Sequence, residues 1–145
     1  MKVVIVYEST HHGNTKILVD AIAKKNEVDL VDATKTNSIP YERYDMIGFA
    51  SGAAFGKFYK KITSLARSVP SGKKVFFLYS CGKNSKDYSK NICGILEANG
   101  CISLGSYGCC GYDTYGPLKL MGGINKGHPD ENEIRGAVDF YTSLV

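Results

Sequence analysis

Short apolar runs alternate with helically spaced apolar stripes along this chain. Val3-Val4-Ile5-Val6 has the continuous character of a strand covered on both faces, within a predicted strand over 2–7. Behind it, Ile17, Leu18, Ala21 and Ile22 fall on one face of a predicted helix over 15–25, with Lys24 and Lys25 at its C-terminal end. Residues 27–32 alternate and predict an edge strand, and 46–50 predict a third, buried strand. Phe58, Ile62, Leu65, Ala66 and Val69 mark a helix that Pro70-Ser71-Gly72 stops. A fourth, central strand is predicted over 75–79. Tyr88, Ile92, Ile95 and Leu96 predict the next helix, closed by Asn99-Gly100. A fifth strand follows over 101–109, and a last helix carries Ile134, Ala137, Val138 and Tyr141 behind a capping box of Asp130 and Glu133. Residues 33–45, with Pro40, predict a loop with at most one helical turn. Residues 111–129, with five glycines and two prolines, form a long connection.

Strands alternating with helices over 145 residues predict one domain spanning 1–145 and a doubly wound parallel sheet with helices on both faces. Such sheets bind ligands outside the carboxyl ends of their strands, where the strand order reverses. Three loops, 8–14, 51–57 and 80–86, leave those ends, all rich in serine and glycine. The first is Glu8-Ser9-Thr10-His11-His12-Gly13-Asn14, followed by Thr15. A hydroxyl-rich loop running into a helix start suits a phosphate, because the first helical amides lack partners and the dipole is positive there. Ser9, Thr10, Asn14 and Thr15 offer side-chain donors, and Gly13 permits close backbone approach. The same residues also suit an ordinary helix cap.

Composition narrows the compartment. A hydrophobic fraction of 43% and a charged fraction of 22% are those of a soluble globular protein. Neither a signal peptide nor a stretch long enough to span a bilayer is expected. Five cysteines at irregular spacings do not form a disulfide framework and fit a reducing cytoplasm. Cys109-Cys110 lacks the spacing of a metal or cluster site; small buried hydrophobes or redox-active thiols are both open readings.

Charge is uneven. Residues 51–100 hold nine Lys and Arg against two acids, whereas both flanks are slightly acidic. A cationic middle third steers an acidic partner or an anionic substrate, or is simply a solvated face. No nucleic-acid recognition signature accompanies it. Motifs exclude several relatives of the fold. The chain has no G-x-x-x-x-G-K-[ST] run and no G-x-G-x-x-G after the first strand. Glu8 stands alone where a phosphoacceptor site needs clustered acids, and the first loop lacks the cysteine and arginine of a small phosphatase.

The loop Ser9…Gly13-Asn14-Thr15 after an apolar strand resembles the phosphate loop of the flavodoxins. So do Tyr44-Asp45 before the third strand, Ser51-Gly52…Phe55-Gly56, and Ser80-Cys81-Gly82 after the fourth. The runs Gly111–Leu118 and Gly122–Pro129, with the His-His-Gly-Asn-Thr loop, are similar to a branch of flavodoxin-like proteins. The resemblance implies a five-stranded sheet in the order 2-1-3-4-5 and FMN as cofactor. Ser9, Thr10, His11, His12, Gly13, Asn14 and Thr15 would hold the phosphate. Ser51, Gly52, Ala53, Ala54, Phe55, Gly56 and Lys57, with Ser80, Cys81, Gly82 and Tyr88, would flank the flavin ring, Phe55 and Tyr88 stacking on it.

The chain departs from ordinary flavodoxins in having one more residue between Ser9 and Gly13, no tryptophan and no overall acidity. Lys57, Lys60, Lys61, Lys83 and Lys86 lie in or beside the ring-flanking loops, which should make full reduction of the flavin easier. The implied function is a monomeric, non-enzymatic electron carrier for redox partner proteins with acidic docking surfaces. It implies no membrane partner. The alternatives are an FMN-dependent NAD(P)H:quinone or small-acceptor oxidoreductase and a flavin-free binding module. The 111–129 connection is expected to be ordered, to pack beside 80–88 and to cover part of the flavin edge.

Overall fold

Odd and even positions of the buried strands serve opposite layers. Val4 and Val6 join Ile47, Phe49, Val75 and Phe77 in one apolar cluster, while Val3 and Ile5 join Met46, Ala50, Phe76 and Leu78 in the other. That division follows from the two-residue period of a strand, and it needs helices on both sides. The structure, a computed structural model, describes residues 1–10, 13–83, 86–112 and 123–145. Its elements run β1 (Val3–Glu8), α1 (Asn14–Lys25), β2 (Asp29–Asp32), β3 (Met46–Ala54), β4 (Lys57–Phe58), α2 (Lys60–Ala66), β5 (Lys74–Cys81), α3 (Lys90–Ala98), β6 (Ile102–Cys110) and α4 (Glu131–Leu144). Helices α2 and α3 cover the first cluster through Ile62, Leu65, Ile92 and Leu96. Helices α1 and α4 cover the second through Leu18, Ile22, Ala137 and Tyr141.

The sheet order is β2-β1-β3-β5-β6, all parallel, with β4 paired antiparallel to β3 outside that path. This is the expected doubly wound order once the short β4 is counted. The direction of winding reverses between β1 and β3, so a crevice opens at their carboxyl ends. Packing across the sheet is tight. A Cβ on Gly48 would lie 2.3 Å from the Phe76 ring, and one on Gly108 would lie 2.0 Å from the Tyr79 ring, so glycine is required at both.

Several boundaries differ from the sequence expectation. Strand β3 does not end at Ala50 but continues to Ala54, because β4 folds back on it and pairs Ala53 with Phe58 and Ala54 with Lys57. The predicted 51–57 loop is therefore a hairpin whose turn is Phe55-Gly56. Phe58 belongs to β4, and α2 starts only at Lys60. Helix α3 starts at Lys90, so Tyr88 precedes it. Residues 33–45 hold two short 3-10 turns, Ala33–Lys35 and Tyr41–Arg43, where at most one was expected. At α4 the expected capping box is present: Asp130 accepts from the Glu133 amide, and Glu133 accepts from the Asp130 amide, both at 2.9 Å. No helix among the described residues is long and apolar enough to cross a membrane.

Candidate functional site

A cavity of about 380 Å³ opens at the carboxyl ends of β1, β3, β5 and β6. Its size lies within the roughly 300–1,000 Å³ typical of small-molecule sites. Of the residues expected to bind a cofactor, Ser9, Thr10, Asn14, Thr15, Gly52, Ala53, Ala54, Phe55, Ser80, Cys81 and Gly82 line it. Gly13, Ser51, Gly56, Lys57 and Tyr88 do not, and His11 and His12 lie outside the described residues. Tyr59 lines the cavity without having been expected there; Gly111 and Tyr112 line it as the start of the 111–129 connection, which was expected at the ring edge without a binding residue being named.

The polar end is built around the start of α1. Gly13 precedes the helix with φ 68°, a left-handed conformation that favours glycine, and no side chain caps it. The Ser9 Oγ accepts from the Lys16 amide at 2.9 Å. Among the described residues the Asn14 and Thr15 amides, the first two of the helix, have no partner. The two side chains are used differently from expectation. Asn14 Nδ2 donates to the Tyr112 carbonyl at 2.9 Å, and Thr15 Oγ1 shares a 2.8 Å hydrogen bond with Ser80 Oγ. Both residues are buried, so they tie the first loop to the ends of β5 and β6. One hydroxyl hydrogen of the Thr15–Ser80 pair remains beyond the one shared between them. Gly111 completes the tie: its amide donates to the Cys81 carbonyl at 2.9 Å, and a Cβ there would lie 2.5 Å from Asn14 Nδ2.

The other end is apolar and rests on the β3–β4 hairpin. Its turn residues Phe55 (φ 53°) and Gly56 (φ 81°) are both left-handed, as a two-residue hairpin turn demands. For phenylalanine that conformation is strained, by roughly 1–2 kcal/mol. Phe55 is also 93% exposed, although it lines the cavity. Ser51, fully buried, holds the hairpin shut by accepting from the Tyr59 amide at 3.0 Å. Gly52 must be small because a Cβ would lie 2.4 Å from the Tyr59 hydroxyl. Tyr88 is placed elsewhere: its hydroxyl donates to the Lys83 carbonyl at 2.8 Å, and its ring meets Tyr79 edge-on at 5.7 Å.

Titratable groups around the crevice are mostly held neutral. Burial pushes the Cys81 thiol up to about 12, with smaller contributions from Cys110 and Glu133, and the Cys109 thiol likewise to about 12. Both cysteines are therefore protonated packing residues at neutral pH. Desolvation and then Asp32 raise the Glu8 carboxyl, against the opposing Lys61, and its Oε1 has no hydrogen-bond partner among the described residues. The described part of the 111–129 connection reaches the β5 exit: Asn125 Nδ2 donates to the Gly82 carbonyl, and the Tyr112 amide donates to the His128 carbonyl at 3.0 Å. His128 Nδ1 in turn bonds Glu133 Oε1. Residues 113–122, which hold most of the first resemblance run and the start of the second, lie outside the described residues.

No family model matches the chain. The uncharacterized protein MJ0298 of Methanocaldococcus jannaschii is 36% identical over 148 residues, covering 100% of this chain and 99% of that one. Among solved structures, a flavodoxin from the domain Archaea superposes with a TM-score of 0.69 at 18% identity, covering 99% of both chains. The rubredoxin oxygen:oxidoreductase of Desulfovibrio gigas superposes with a TM-score of 0.68 at 12% identity, over 99% of this chain and 35% of that one. At such identities the likeness concerns the fold. The chain belongs to the family of the MJ0298 protein and has a flavodoxin-like α/β fold.

Proposed function

We propose that the cavity binds FMN and that the protein is an electron carrier. The observation that carries this reading is the pairing of opposite surfaces in one crevice. Helical amides with no partner among the described residues, and a hydroxyl, lie at one end, and a 93%-exposed, strained Phe55 lies at the other. A ligand with an anionic tail and a flat aromatic ring satisfies both. The amides of Asn14 and Thr15, with the hydroxyls of Ser9 and Thr10, would hold the phosphate. Phe55 and Tyr59 would cover the ring and exclude water from it. Bound FMN supplies one- and two-electron redox chemistry; the protein's part is to bind, orient and electrostatically bias it. The protonated Cys81 keeps thiolate charge away from the ring.

The archaeal flavodoxin is the structural neighbour that supports this reading, through the fold it shares. The test is titration of the purified protein with FMN and with riboflavin, followed by the visible spectrum. Charge-assisted bonds to a phosphate are worth roughly 1.5–3 kcal/mol each, so FMN should bind at least about a hundredfold more tightly. Equal affinities would overturn the phosphate assignment. A carrier should show negligible steady-state turnover of NADH or NADPH with quinones; rapid turnover would replace it with a reductase.

A further inference from the structure

A second groove of about 270 Å³ lies between α2 and α3, on the far side of the hairpin from the cavity. Lys57, Lys60 and Arg67 line it, over a floor that includes Phe58 and Ile95, with Asn91 on the opposite wall. All three cations are exposed. Among the described residues none of the three makes an ion pair or a side-chain hydrogen bond. None of the described residues that line the groove is acidic. The acids of this region are engaged elsewhere: Asp87 accepts from Ser89 and Ser106, and Glu97 from Cys93.

We propose that this groove docks an acidic, extended segment of a partner protein, beside the cavity. The identification of that partner as a redox protein rests on the carrier reading above. Three arguments fix the occupant. Unpaired cations with no acid among them favour an anionic partner and hasten its approach. Their spacing favours an extended occupant over a single small anion, since Lys60 and Arg67 are seven residues apart on and just beyond α2, roughly 10 Å along the helix axis. Carboxylates on one side of an extended peptide repeat every roughly 7 Å, so a few residues of it span that distance and long flexible side chains meet both cations. The hairpin is also a wall shared by both hollows: Ala54 lines the cavity, and Lys57, its register partner, lines the groove. A segment seated here lies one hairpin width from the exposed Phe55.

The experiment is amide chemical-shift mapping of the isotopically labelled protein with a hexaglutamate peptide, at low and near-physiological salt. It is read with or without flavin, so failure of FMN binding leaves it interpretable. Shifts should concentrate at 57–67 and 90–95 and weaken with salt. The Lys60→Glu/Arg67→Glu variant should bind roughly tenfold more weakly, while Lys24→Glu/Lys25→Glu, on another cationic patch, should bind as the parent does. Lys57→Gln/Lys60→Gln gives the same readout without reversed charge, and thermal melts confirm that each variant is folded. Shifts spread over all lysine-bearing faces would overturn the proposal. So would equal binding by the two charge-reversed variants. Displacement of the peptide by orthophosphate at matched ionic strength would instead assign a small-anion site and also overturn it.

Discussion

The two ends of the cavity are built on opposite principles. Around α1, three of the cavity side chains are tied inside the protein: Ser9 to Lys16, Asn14 to Tyr112, Thr15 to Ser80. Asn14, Thr15 and Ser80 are buried and preassembled there, and among the described residues the Asn14 and Thr15 amides keep no partner. At the hairpin, a two-residue turn holds a strained aromatic almost wholly in solvent. Preorganised donors cost little to reuse on binding, so the polar end should set which ligand is accepted. The hairpin end gains only when its apolar surface is covered, so it should contribute affinity at the expense of the free protein's stability.

The largest expected effect comes from breaking the polar end. Thr15→Val preserves shape but leaves the Ser80 hydroxyl without its partner, a loss of roughly 1–3 kcal/mol of stability. FMN affinity should fall with it, by roughly tenfold to a hundredfold, because the first helical turn loses its anchor to β5. Asn14→Ala should act the same way through the Tyr112 tie rather than by removing a direct donor. A double-mutant cycle of Thr15→Val with Ser80→Ala measures the coupling. Additive losses would mean that the two hydroxyls do not support one another.

Phe55→Gly should move stability and binding in opposite directions. Glycine relieves the left-handed strain, and truncating an exposed ring removes no packing, so stability should rise by roughly 1 kcal/mol. FMN affinity should fall by roughly tenfold as a stacking surface is lost. Chemical denaturation and FMN titration of one variant provide both signs. Stability and affinity falling together would erase the contrast between the two ends.

Lys57→Glu tests the cationic side of the hairpin. A charge about 8 Å from the ring at an effective dielectric of about 40 is worth roughly 1 kcal/mol, or on the order of 40 mV. Lys57→Glu changes the charge by two units, so about 80 mV is the upper bound, and salt lowers it because Lys57 is exposed and lines the other groove. Spectroelectrochemical titration should show a lower reduction potential in the variant; a rise would show that this rim does not bias the flavin as its charge requires.

The same contrast explains what the sequence made legible. Buried strands announce themselves by apolar runs, and Asp130 with Glu133 announces a helix start, because these signals are local. The first loop was legible for the same reason: its hydroxyls, glycine and helix start are contiguous. The hairpin was not. A two-residue strand has no period to detect, and Ser51 through Ala54 are small residues whose pairing is supplied by residues further on. Tyr59 reaches the cavity only because that hairpin folds back, whereas Tyr88 looked equivalent by type and was drawn to Tyr79 by packing. Gly111 and Tyr112 open a long aperiodic connection expected near the ring, but which of its residues meet the cavity was not legible, because their contacts to Asn14, Cys81 and His128 come from other elements.

The smallest effect expected concerns pH, and it should reach the polar end alone. The hydrogen bond to Glu133 raises the His128 imidazolium above its ordinary 6.5, with Asp130 adding and desolvation opposing. The folded protein thus holds this proton more tightly than the unfolded chain does. The resulting stability is fully present below about 6.5 and is lost as pH rises through the higher folded value. His128 also accepts the Tyr112 amide, and the Tyr112 carbonyl holds Asn14, so loosening His128 is passed toward the first helical turn. Amide exchange corrected for its intrinsic pH dependence should show Tyr112 protection falling through that titration, while Ala54 and Lys57 across the hairpin stay unchanged. His128→Ala should flatten the response. A His128 ring that titrates at or below 6.5 by NMR would remove the cause, and equal pH sensitivity at Tyr112 and Ala54 would remove the distinction between the two ends.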